Sequence, residues 1–598
     1  MASVRGPEAP RASCAGSGAR AACRLAALAV LCLNAWLLVA HHDRFWWPPD
    51  EGNYAHVAER ILDGQVLHAD VQDIHPGYVN FANAGALGLF GRELASMRYP
   101  LVVLGIAQSL LLFLILRPAG AAAAGVGASA ITALGFLQFL NPTAHWYSLF
   151  LVVALAAVLH LAPRTARWRL DAVGAIVMTV VLFRQLSGVL LAMGALTWLL
   201  LEGSDRDGEP PVDRLMGRAL IAIMIAGLIV YLVRATDAVG WMLFGIWPVL
   251  VLVQAARMAR APTAAVVAML ARLARGAAAA AVPLVGYHLI HGSIGAWYQD
   301  AIVTALAFPR LPFFETSSYA QLIAAGVRSV ASGDPLAIIN GAYWALLPLA
   351  GAAAGAVLLA RLARARAGDA PSAPPALAVI AVFYAVVSVH YQIPPYLAYT
   401  VGLSVAALIV LSGGSRAVTG AAAAFAIVAV VFHAGQPLSR GIEGATAGRR
   451  VAVVASESVP GVGLRIEAGE VELYRALVEL VRREVPPDQP ILAVPSHAQL
   501  YFLTGRRNPF RFFNTALGVS GERELEAVLE ELDRHPPALV FYDRRDKYNT
   551  PQSRAIMERV ARTYARLTPL GPFEIYRRPP DALATPVAAR GATPSSME

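Results

Sequence analysis

The segment Arg24–Tyr54 reads RLAALAVLCLNAWLLVAHHDRFWWPPDEGNY, an apolar run followed by an aromatic and proline-containing exit. A helix that spans a membrane needs about 20 mostly apolar residues. Residues 24–40 come close to that length and carry no charge beyond Arg24, so we predict that they cross a membrane. No small-residue cleavage site follows, and the pair Trp46-Trp47 is typical of an interfacial anchor, which favours a retained helix over a signal peptide.

The composition divides the chain into two parts. The 598 residues are 57% hydrophobic and only 15% charged, whereas an average soluble protein is about 25% charged. From Ser439 onward there are 22 Lys+Arg and 20 Asp+Glu, while the preceding residues, nearly three times as many, hold 27 and 20. These numbers exclude an ordinary soluble enzyme and a disordered chain, and they predict a membrane domain followed by a soluble domain.

The net charge of +9 rests almost entirely on arginine, and Lys547 is the one lysine. We attribute this bias to nucleotide composition, and it does not indicate a nucleic-acid partner. The three cysteines, Cys14, Cys23 and Cys32, all lie near the N-terminus. This placement excludes a thiolate metal site or a disulfide framework in the outer loops and in the soluble domain.

Apolar runs predict about thirteen spanning helices. If the N-terminus is cytoplasmic, nineteen arginines fall in inner segments and seven in outer ones, in agreement with the positive-inside rule. The stretch 170–201 fits one long helix or a tight pair broken at Phe183-Arg184-Gln185, and the arginine distribution favours the pair. The predicted spans are 24–40, 99–117, 120–140, 146–163, 170–183, 186–201, 217–233, 238–255, 276–292, 338–360, 375–390, 396–413 and 417–435.

We therefore predict a polytopic α-helical membrane protein with a C-terminal extracytoplasmic α/β domain, since an odd number of spans places the two ends on opposite sides. The predicted parts are a cytoplasmic tail (1–23), a transmembrane domain (24–436) with outer loops at 41–98 and 293–337, the α/β domain (437–580) and a disordered tail (581–598). In the α/β domain, residue patterns predict strands at Ile491–Val494, Ala538–Tyr542 and Phe573–Tyr576, and helices at Gly469–Arg483, Glu522–Arg534 and Gln552–Arg566.

The first outer loop concentrates the acids of the membrane domain. Two of them, Asp50 and Glu51, directly follow Pro48-Pro49, which predict an extended exit from the bilayer. Apolar residues at helical spacing (Tyr54, Val57, Ala58, Ile61 and Leu62) then predict an amphipathic helix over Gly52–Asp63 along the membrane surface. Eight of the 20 acids of the membrane domain lie in this loop: Asp43, Asp50, Glu51, Glu59, Asp63, Asp70, Asp73 and Glu93.

Residue chemistry alone leaves two interpretations of Asp50 open. In the structural one, Asp50 is the N-cap of the helix that follows. In the functional one, Asp50 is a general base. A poorly solvated carboxylate beside the bilayer has a raised pKa, which suits it to take a proton from a hydroxyl group.

The loop resembles the first loop of the GT-C membrane glycosyltransferases, and it is most similar to bacterial relatives of the aminoarabinose transferases and protein O-mannosyltransferases. The resemblance implies transfer of a sugar from a polyprenyl-phosphate donor to an acceptor on the outer face, with Asp50 as the catalytic carboxylate. It is carried by Asp50-Glu51-Gly52-Asn53-Tyr54, Ala58, Leu62-Asp63-Gly64-Gln65, Asp70, His75-Pro76-Gly77, Leu89-Phe90-Gly91 and Arg98.

Two further segments resemble elements of the same family. Phe183-Arg184-Gln185-Leu186-Ser187-Gly188 is similar to a K/R-Q-x-x-G element, which implies that Arg184 contacts the donor phosphate. A helix-end arginine that reaches to water is the alternative. His390-Tyr391-Gln392-Ile393-Pro394-Pro395-Tyr396 is similar to an H-Y-x-x-x-P segment, in which His390 and Tyr391 bind phosphate or sugar. A structural turn with interfacial aromatic residues is the alternative there.

One turn departs from the family pattern. Many family members carry a second acid in the turn that here reads Asn141-Pro142-Thr143-Ala144-His145-Trp146-Tyr147, and this sequence has none. Asn141 or His145 takes its place, or another loop supplies the charge. The departure weakens the case for a metal held by two carboxylates. The sequence therefore assigns no certain cofactor and leaves a divalent metal open.

The leading hypothesis is a membrane glycosyltransferase of a bacterial plasma membrane that transfers a lipid-linked hexose or pentose to a lipid, glycan or protein. Asp50 and Glu51 are the predicted catalytic residues, with Glu51 orienting the acceptor or Asp50. Donor and acceptor binding is predicted for Tyr54, His75, His145, Arg184, His390 and Tyr391. We expect a cavity between Asp50, Arg184 and His390. The alternatives are a polytopic transporter of a small polar or lipid-linked solute and an inactive GT-C-like scaffold.

Overall fold

The computed structural model describes residues 17–203, 215–307, 318–367, 373–436, 446 and 451–579. Within these residues, nine helices are long and apolar enough to cross a membrane. The chain is therefore a multi-pass helical membrane protein, and a small sheet domain follows at its C-terminal end. The predicted disordered tail (581–598) and most of the predicted cytoplasmic tail (1–16) lie outside the described residues.

The helices before the C-terminal domain follow the predicted order of spans. In chain order they are α1 (Ser17–His41), α2 (Pro48–Leu62), α3 (Tyr78–Phe90), α4 (Tyr99–Leu116), α5 (Ala121–Ile131), α6 (Ala144–Leu161), α7 (Arg169–Phe183), α8 (Gln185–Glu202), α9 (Leu215–Ala235), α10 (Ala238–Met258), α11 (Thr263–Ile290), α12 (Ile294–Tyr298), α13 (Tyr319–Val330), α14 (Pro335–Leu346), α15 (Leu349–Ala367), α16 (Ala376–Tyr384), α17 (Pro394–Leu411) and α18 (Arg416–His433).

Each of the thirteen predicted spans coincides with a helix or a helix pair, but four of them fall short of a full straight span. The predicted spans 120–140 and 375–390 are the shorter apolar helices Ala121–Phe136 and Ala376–Val389. The predicted span 338–360 is α14 and α15, which are bent by 45°. The fourth is α7, which has 15 residues. Apolar runs give the positions of these helices, whereas packing against neighbours sets where each one ends.

The predicted tight pair at 170–201 is confirmed. Arg184 is the single residue between α7 and α8, and its backbone is extended (φ −156°, ψ 111°). The chain reverses so sharply there that a Cβ at Gly188 would lie 2.5 Å from the backbone nitrogen of Val181. Only glycine fits so close an approach, and the reversal fixes where the Arg184 side chain starts.

The exit from the first helix differs from the prediction. Pro48 and Pro49 form the first turn of α2 instead of an extended segment, and Trp47 is the N-cap. Proline suits this position because its φ is helical and its missing N–H has no helical partner to lose. Asp50 therefore lies inside the first turn, so its predicted role as N-cap is wrong. The N-cap amide of Trp47 donates instead to Glu51 Oε1, at 3.2 Å.

The predicted helix of the first outer loop is confirmed, and the C-terminal domain covers one side of it. A Cβ at Gly52 would lie 2.5 Å from the backbone nitrogen of Gln499, so the two segments meet at backbone distance. Tyr54 and Val57 on α2 are buried. This side of α2 therefore faces protein, and the approach at Gly52 carries the C-terminal domain directly over Asp50.

The C-terminal domain is a small α/β unit, as predicted. A four-stranded sheet has the order β3-β4-β6-β5, in which β3 and β4 are parallel and the other pairs are antiparallel. The elements are β1 (Val454–Ala455), β2 (Arg465–Ile466), α19 (Ala468–Glu484), β3 (Ile491–Val494), α20 (Gln499–Thr504), α21 (Glu522–Arg534), β4 (Leu539–Asp543), α22 (Pro551–Thr563), β5 (Ala565–Arg566) and β6 (Phe573–Arg577).

A buried ionic cluster fastens this domain to both long outer loops. Asp300, from the second loop, is fully buried and accepts hydrogen bonds from Arg511 Nη2 at 2.5 Å and from His68 Nδ1 at 3.1 Å. Arg511 also donates to the backbone oxygen of His68 at 2.7 Å. His68 adopts a positive φ of 67°, a conformation that its contacts with Arg511 and Asp300 hold in place.

Candidate active site

A cleft that is partly open to solvent lies between the first outer loop and the C-terminal domain. The first turn of α2 and the loop after it form one wall, and segments of the C-terminal domain form the other. Three of the predicted site residues, Asp50, Tyr54 and His75, line it. The other lining residues are Asn53, Gln72, Asp73, Ile74, Phe513, Asn514, Leu517 and Tyr548.

Asp50 is a basic carboxylate in this cleft. Burial and the neighbouring Glu51 raise the pKa of Asp50 to about 6, while His75 and Lys547 act in the opposite direction. Asn141 Nδ2 donates a hydrogen bond to Asp50 Oδ2 at 2.6 Å. A carboxylate with a pKa near 6 is ionised at neutral pH and is still able to take up a proton during a reaction.

Asn141 ties Asp50 to an aromatic cluster. The hydroxyl of Tyr399 donates to Asn141 Oδ1 at 3.3 Å. The ring of His145 stacks on Tyr399 with a centroid distance of 3.9 Å and an interplanar angle of 4°. The turn that lacks the second acid thus places both candidate substitutes near Asp50. Asn141 is hydrogen-bonded to Asp50 directly, and His145 lies behind the ring of Tyr399.

Arg184 lies on the far side of the same aromatic cluster. Its guanidinium carbon is 5.8 Å from the ring centre of Tyr396, and its Nη1 donates to Ser187 Oγ at 3.0 Å. The ring of His390 lies 6.1 Å from that of Tyr396. The Arg184 side chain is 7% exposed, and no carboxylate within the described residues forms an ion pair with it. A buried cation without an acidic partner favours an anionic ligand.

The one lysine of the chain is part of the site. Lys547 Nζ donates to the hydroxyl of Tyr391 at 3.0 Å. The same nitrogen lies 5.9 Å from the ring centre of Trp47 and 5.2 Å from that of Tyr548. Lys547 belongs to the loop between β4 and α22, so the C-terminal domain brings a positive charge to Asp50. Burial and the charge of Asp50 hold the pKa of Tyr548, beside it, well above its ordinary value.

A second acid, Asp73, lines the cleft together with Asp50. His75 Nδ1 is 2.8 Å from Asp73 Oδ1, and His75 Nε2 is 3.4 Å from the hydroxyl of Tyr54. Burial opposes ionisation of Asp73, but its contacts with His75 outweigh burial and lower the pKa of Asp73. Asp73 is therefore ionised and paired with His75, whereas Asp50 is the carboxylate that is able to take up a proton.

Glu51 does not line the cleft. It forms a buried ion pair with Arg98, in which Glu51 Oε1 and Arg98 Nη2 are 2.6 Å apart and both side chains are 1% exposed. Arg98 also donates to backbone oxygens of the chain leaving α1, at His42 (2.7 Å) and Phe45 (2.5 Å). The geometry gives Glu51 contacts that hold the first turn of α2, and its predicted catalytic role remains a prediction.

The predicted cavity between Asp50, Arg184 and His390 differs from the observed cleft. Of these three residues, Asp50 alone lines the cleft. Arg184 and His390 lie beside Tyr396, beyond the Asn141–Tyr399 contact. The sequence analysis missed Asp73 as a cleft residue and all the contributions of the C-terminal domain. One signal was present, because a single lysine among so many arginines suggests a specific requirement for lysine.

No protein-family model matches the chain, and no curated protein matches its sequence. Among solved structures, the chain is similar to the crystal structure of ArnT from Cupriavidus metallidurans bound to undecaprenyl phosphate. The sequence identity is 15% and the TM-score is 0.39, over 96% of this chain and 100% of that chain. At this level of similarity, the roles of individual residues rest on the contacts of this chain alone.

Proposed function

We propose that this protein is a membrane glycosyltransferase that moves a sugar from a polyprenyl-phosphate donor to an acceptor hydroxyl on the outer face of the membrane. One observation carries the proposal. Asp50, a carboxylate of raised pKa, lies at one end of a polar and aromatic cluster beside a cleft. Arg184, a buried cation that forms no ion pair with an acid in the described part of the chain, lies at the other end. General-base chemistry on a hydroxyl and binding of a phosphate need these two groups close together.

The proposed reaction assigns a role to each of these groups. Asp50 takes the proton of the acceptor hydroxyl, and the acceptor oxygen forms a bond to the anomeric carbon of the sugar. The bond between that carbon and the phosphate oxygen breaks, and its electron pair leaves with the polyprenyl phosphate. Arg184 and Lys547 stabilise the negative charge that develops on the phosphate. Attack from the face opposite the phosphate inverts the anomeric configuration.

The side chains that line the cleft suit the binding of a sugar and of an acceptor hydroxyl. Its polar wall of Asp50, Asp73 and His75 supplies hydrogen-bond acceptors and donors for sugar or acceptor hydroxyls. Its aromatic side chains, Tyr54 and Tyr548, offer flat surfaces of the kind on which sugar rings pack. The C-terminal domain forms one wall of the cleft and thereby contributes to the burial that raises the pKa of Asp50.

The test is sugar transfer by the purified protein in liposomes that contain polyprenyl-phosphate sugars. Asp50→Asn should abolish release of polyprenyl phosphate while the protein remains folded and inserted. Asp63→Asn is the matched control, because Asp63 lies at the end of the same helix and its half-exposed side chain pairs only with the surface Arg92 within the described residues. Normal turnover by Asp50→Asn would overturn the proposal.

The same liposomes distinguish the alternatives. A transporter accumulates solute inside vesicles that lack any lipid-linked sugar, whereas the proposed enzyme does not. An inactive scaffold releases no polyprenyl phosphate with any donor, in the wild-type protein as in the variant. Either result would contradict the proposed reaction.

A further inference from the structure

Three side chains of metal-ligand type meet in the C-terminal domain, outside the cleft. His497 follows β3, Asp543 ends β4, and Asp546 lies in the loop that continues to α22. One ligand atom from each lies within 4.8 Å of the others. This cluster is not recognisable from local sequence, because more than 40 residues separate His497 from the two acids.

The distances within the cluster are those of ion pairs that are longer than a charge-assisted hydrogen bond. His497 Nε2 lies 3.2 Å from Asp546 Oδ2 and 3.6 Å from Asp543 Oδ2. A charge-assisted N–H···O bond is typically about 2.7–2.9 Å long. Ligand atoms that surround a zinc-sized ion tetrahedrally, with bonds of about 2.1 Å, are about 3.4 Å apart. The measured distances lie close to this value, so the three ligand atoms leave room for a shared ion.

The buried nitrogen that faces this point has no hydrogen bond of good geometry to any described residue, although both carboxylates lie within ion-pair distance of it. His497 is 6% exposed, and its Nε2 has no partner of acceptable geometry within the described residues. The other nitrogen, Nδ1, lies 3.1 Å from the side-chain amide of Gln499. A metal-ligating histidine commonly donates its second ring N–H to an acceptor. Rotating the Gln499 amide by 180° places its oxygen at this position, where it accepts a hydrogen bond from His497 Nδ1.

Backbone contacts leave one oxygen of each carboxylate for the cluster. The amide of Arg545 donates to Asp543 Oδ1 at 2.9 Å, and the amide of Tyr548 donates to Asp546 Oδ1 at 2.8 Å. Both Oδ2 atoms then face His497. The same loop places Lys547 against Tyr391 and places Tyr548 in the cleft. Residues of the cluster and residues of the cleft are therefore close neighbours in the chain between Asp543 and Tyr548.

We propose that His497, Asp543 and Asp546 bind a divalent cation, with water in the remaining coordination positions, and that this ion orders the loop that presents Lys547 and Tyr548 to Asp50. A set of one imidazole and two carboxylates suits Zn²⁺ or Mn²⁺. Ion binding does not depend on the proposed function. The contribution of the ordered loop to donor binding does rest on it.

Binding is tested on the full-length protein in detergent, after treatment with a chelator. Zn²⁺ is titrated against a fluorescent chelator, and Mn²⁺ is followed by electron paramagnetic resonance. We expect one tight site per chain, lost in His497→Ala and weakened at least tenfold in Asp546→Asn. His535→Ala is the matched control, because His535 pairs with Glu531 on the exposed surface of the same domain. Equal binding by His497→Ala and the control would overturn the inference.

A second readout follows the loop itself. Hydrogen exchange of the peptide that spans Asp543–Thr550 should slow at least tenfold when Zn²⁺ is added to the wild-type protein, and should not change in His497→Ala. Asp543→Asn keeps the shape of the side chain and serves as a second variant if His497→Ala fails to fold. Exchange that is insensitive to Zn²⁺ in the wild-type protein would contradict ordering of the loop. Metal binding with no sugar transfer would refute the proposed function alone.

Discussion

At the scale of single residues, the site depends on the burial and the hydrogen-bond partners of each charged side chain. Asp50 is identifiable from sequence, because it follows an interfacial aromatic pair in a loop rich in acids. The burial that raises its pKa and the hydrogen bond from Asn141 are not identifiable from sequence, since both depend on residues far away in the chain. Arg184 was likewise identifiable, whereas Lys547 was given no role, because the arginine bias was attributed to nucleotide composition.

The pH dependence of transfer should report the ionisation of Asp50. A general base works only when deprotonated, so kcat/KM should rise with pH, with a midpoint at about 6, and level off above it. Asn141→Asp places a second carboxylate at hydrogen-bond distance, and like charges raise each other's pKa. The midpoint should then move up by about one pH unit or more. A pH–rate profile with an unchanged midpoint in Asn141→Asp would contradict the assigned base.

The same raised pKa makes Asp50 a cost to stability. From its ordinary value of 3.8 up to about 6, the unfolded chain is ionised while the folded one holds a proton. Stability is therefore lost as the pH rises through this window, and the loss is complete above it. Asp50→Asn should raise the free energy of unfolding at pH 8 by up to about 3 kcal/mol, with no gain at pH 3.5. Thermal melts at both pH values measure this difference, and a variant less stable than wild type at pH 8 would refute it.

Lys547 should act on the donor. Removing its charge in Lys547→Ala should raise the KM for the polyprenyl-phosphate sugar at least tenfold, and Lys547→Arg should restore part of the loss, because the charge returns on a different geometry. Arg545→Ala is the matched control, since Arg545 is an exposed cation of the same loop. Equal kinetics for Lys547→Ala and Arg545→Ala would exclude a role for Lys547 in donor binding.

At the scale of elements, the first turn of α2 and the reversal at Arg184 position the chemistry. The sequence predicts both segments, since apolar spacing shows the helices and Arg184 marks a break. It mispredicts the start of α2, because a Pro-Pro pair fits an extended exit as well as a first helical turn. The turn is settled by the Glu51–Arg98 pair, which joins residues 47 positions apart.

That ion pair should be a main source of stability for the first turn. Both side chains are 1% exposed, and removal of one partner from a buried pair costs about 3–5 kcal/mol. Glu51→Ala and Arg98→Ala should each lower the free energy of unfolding by that amount. Asp63→Ala, which breaks the exposed pair with Arg92, should cost about 1 kcal/mol or less. Equal destabilisation in denaturant melts would show that the Glu51–Arg98 pair has no special role.

At the scale of the whole molecule, the structure brings three distant parts of the chain to one place. The division into membrane and α/β parts is readable from charge density, and the strands and helices of the second part follow from local periodicity. The docking between them is not readable, because contacts such as Arg511–Asp300 and Gly52–Gln499 join segments hundreds of residues apart and leave no local pattern. The cleft exists only in that docked arrangement.

The central claim is that this chain consumes a polyprenyl-phosphate sugar through Asp50. The most direct measurement is mass spectrometry of lipid-linked sugars in a strain that lacks the gene, complemented by wild-type protein or by Asp50→Asn. The account predicts that one polyprenyl-phosphate sugar accumulates in the deletion strain, disappears with the wild-type protein and persists with Asp50→Asn expressed at the same level. Unchanged lipid-linked sugars in the deletion strain, or their disappearance with Asp50→Asn, would contradict it.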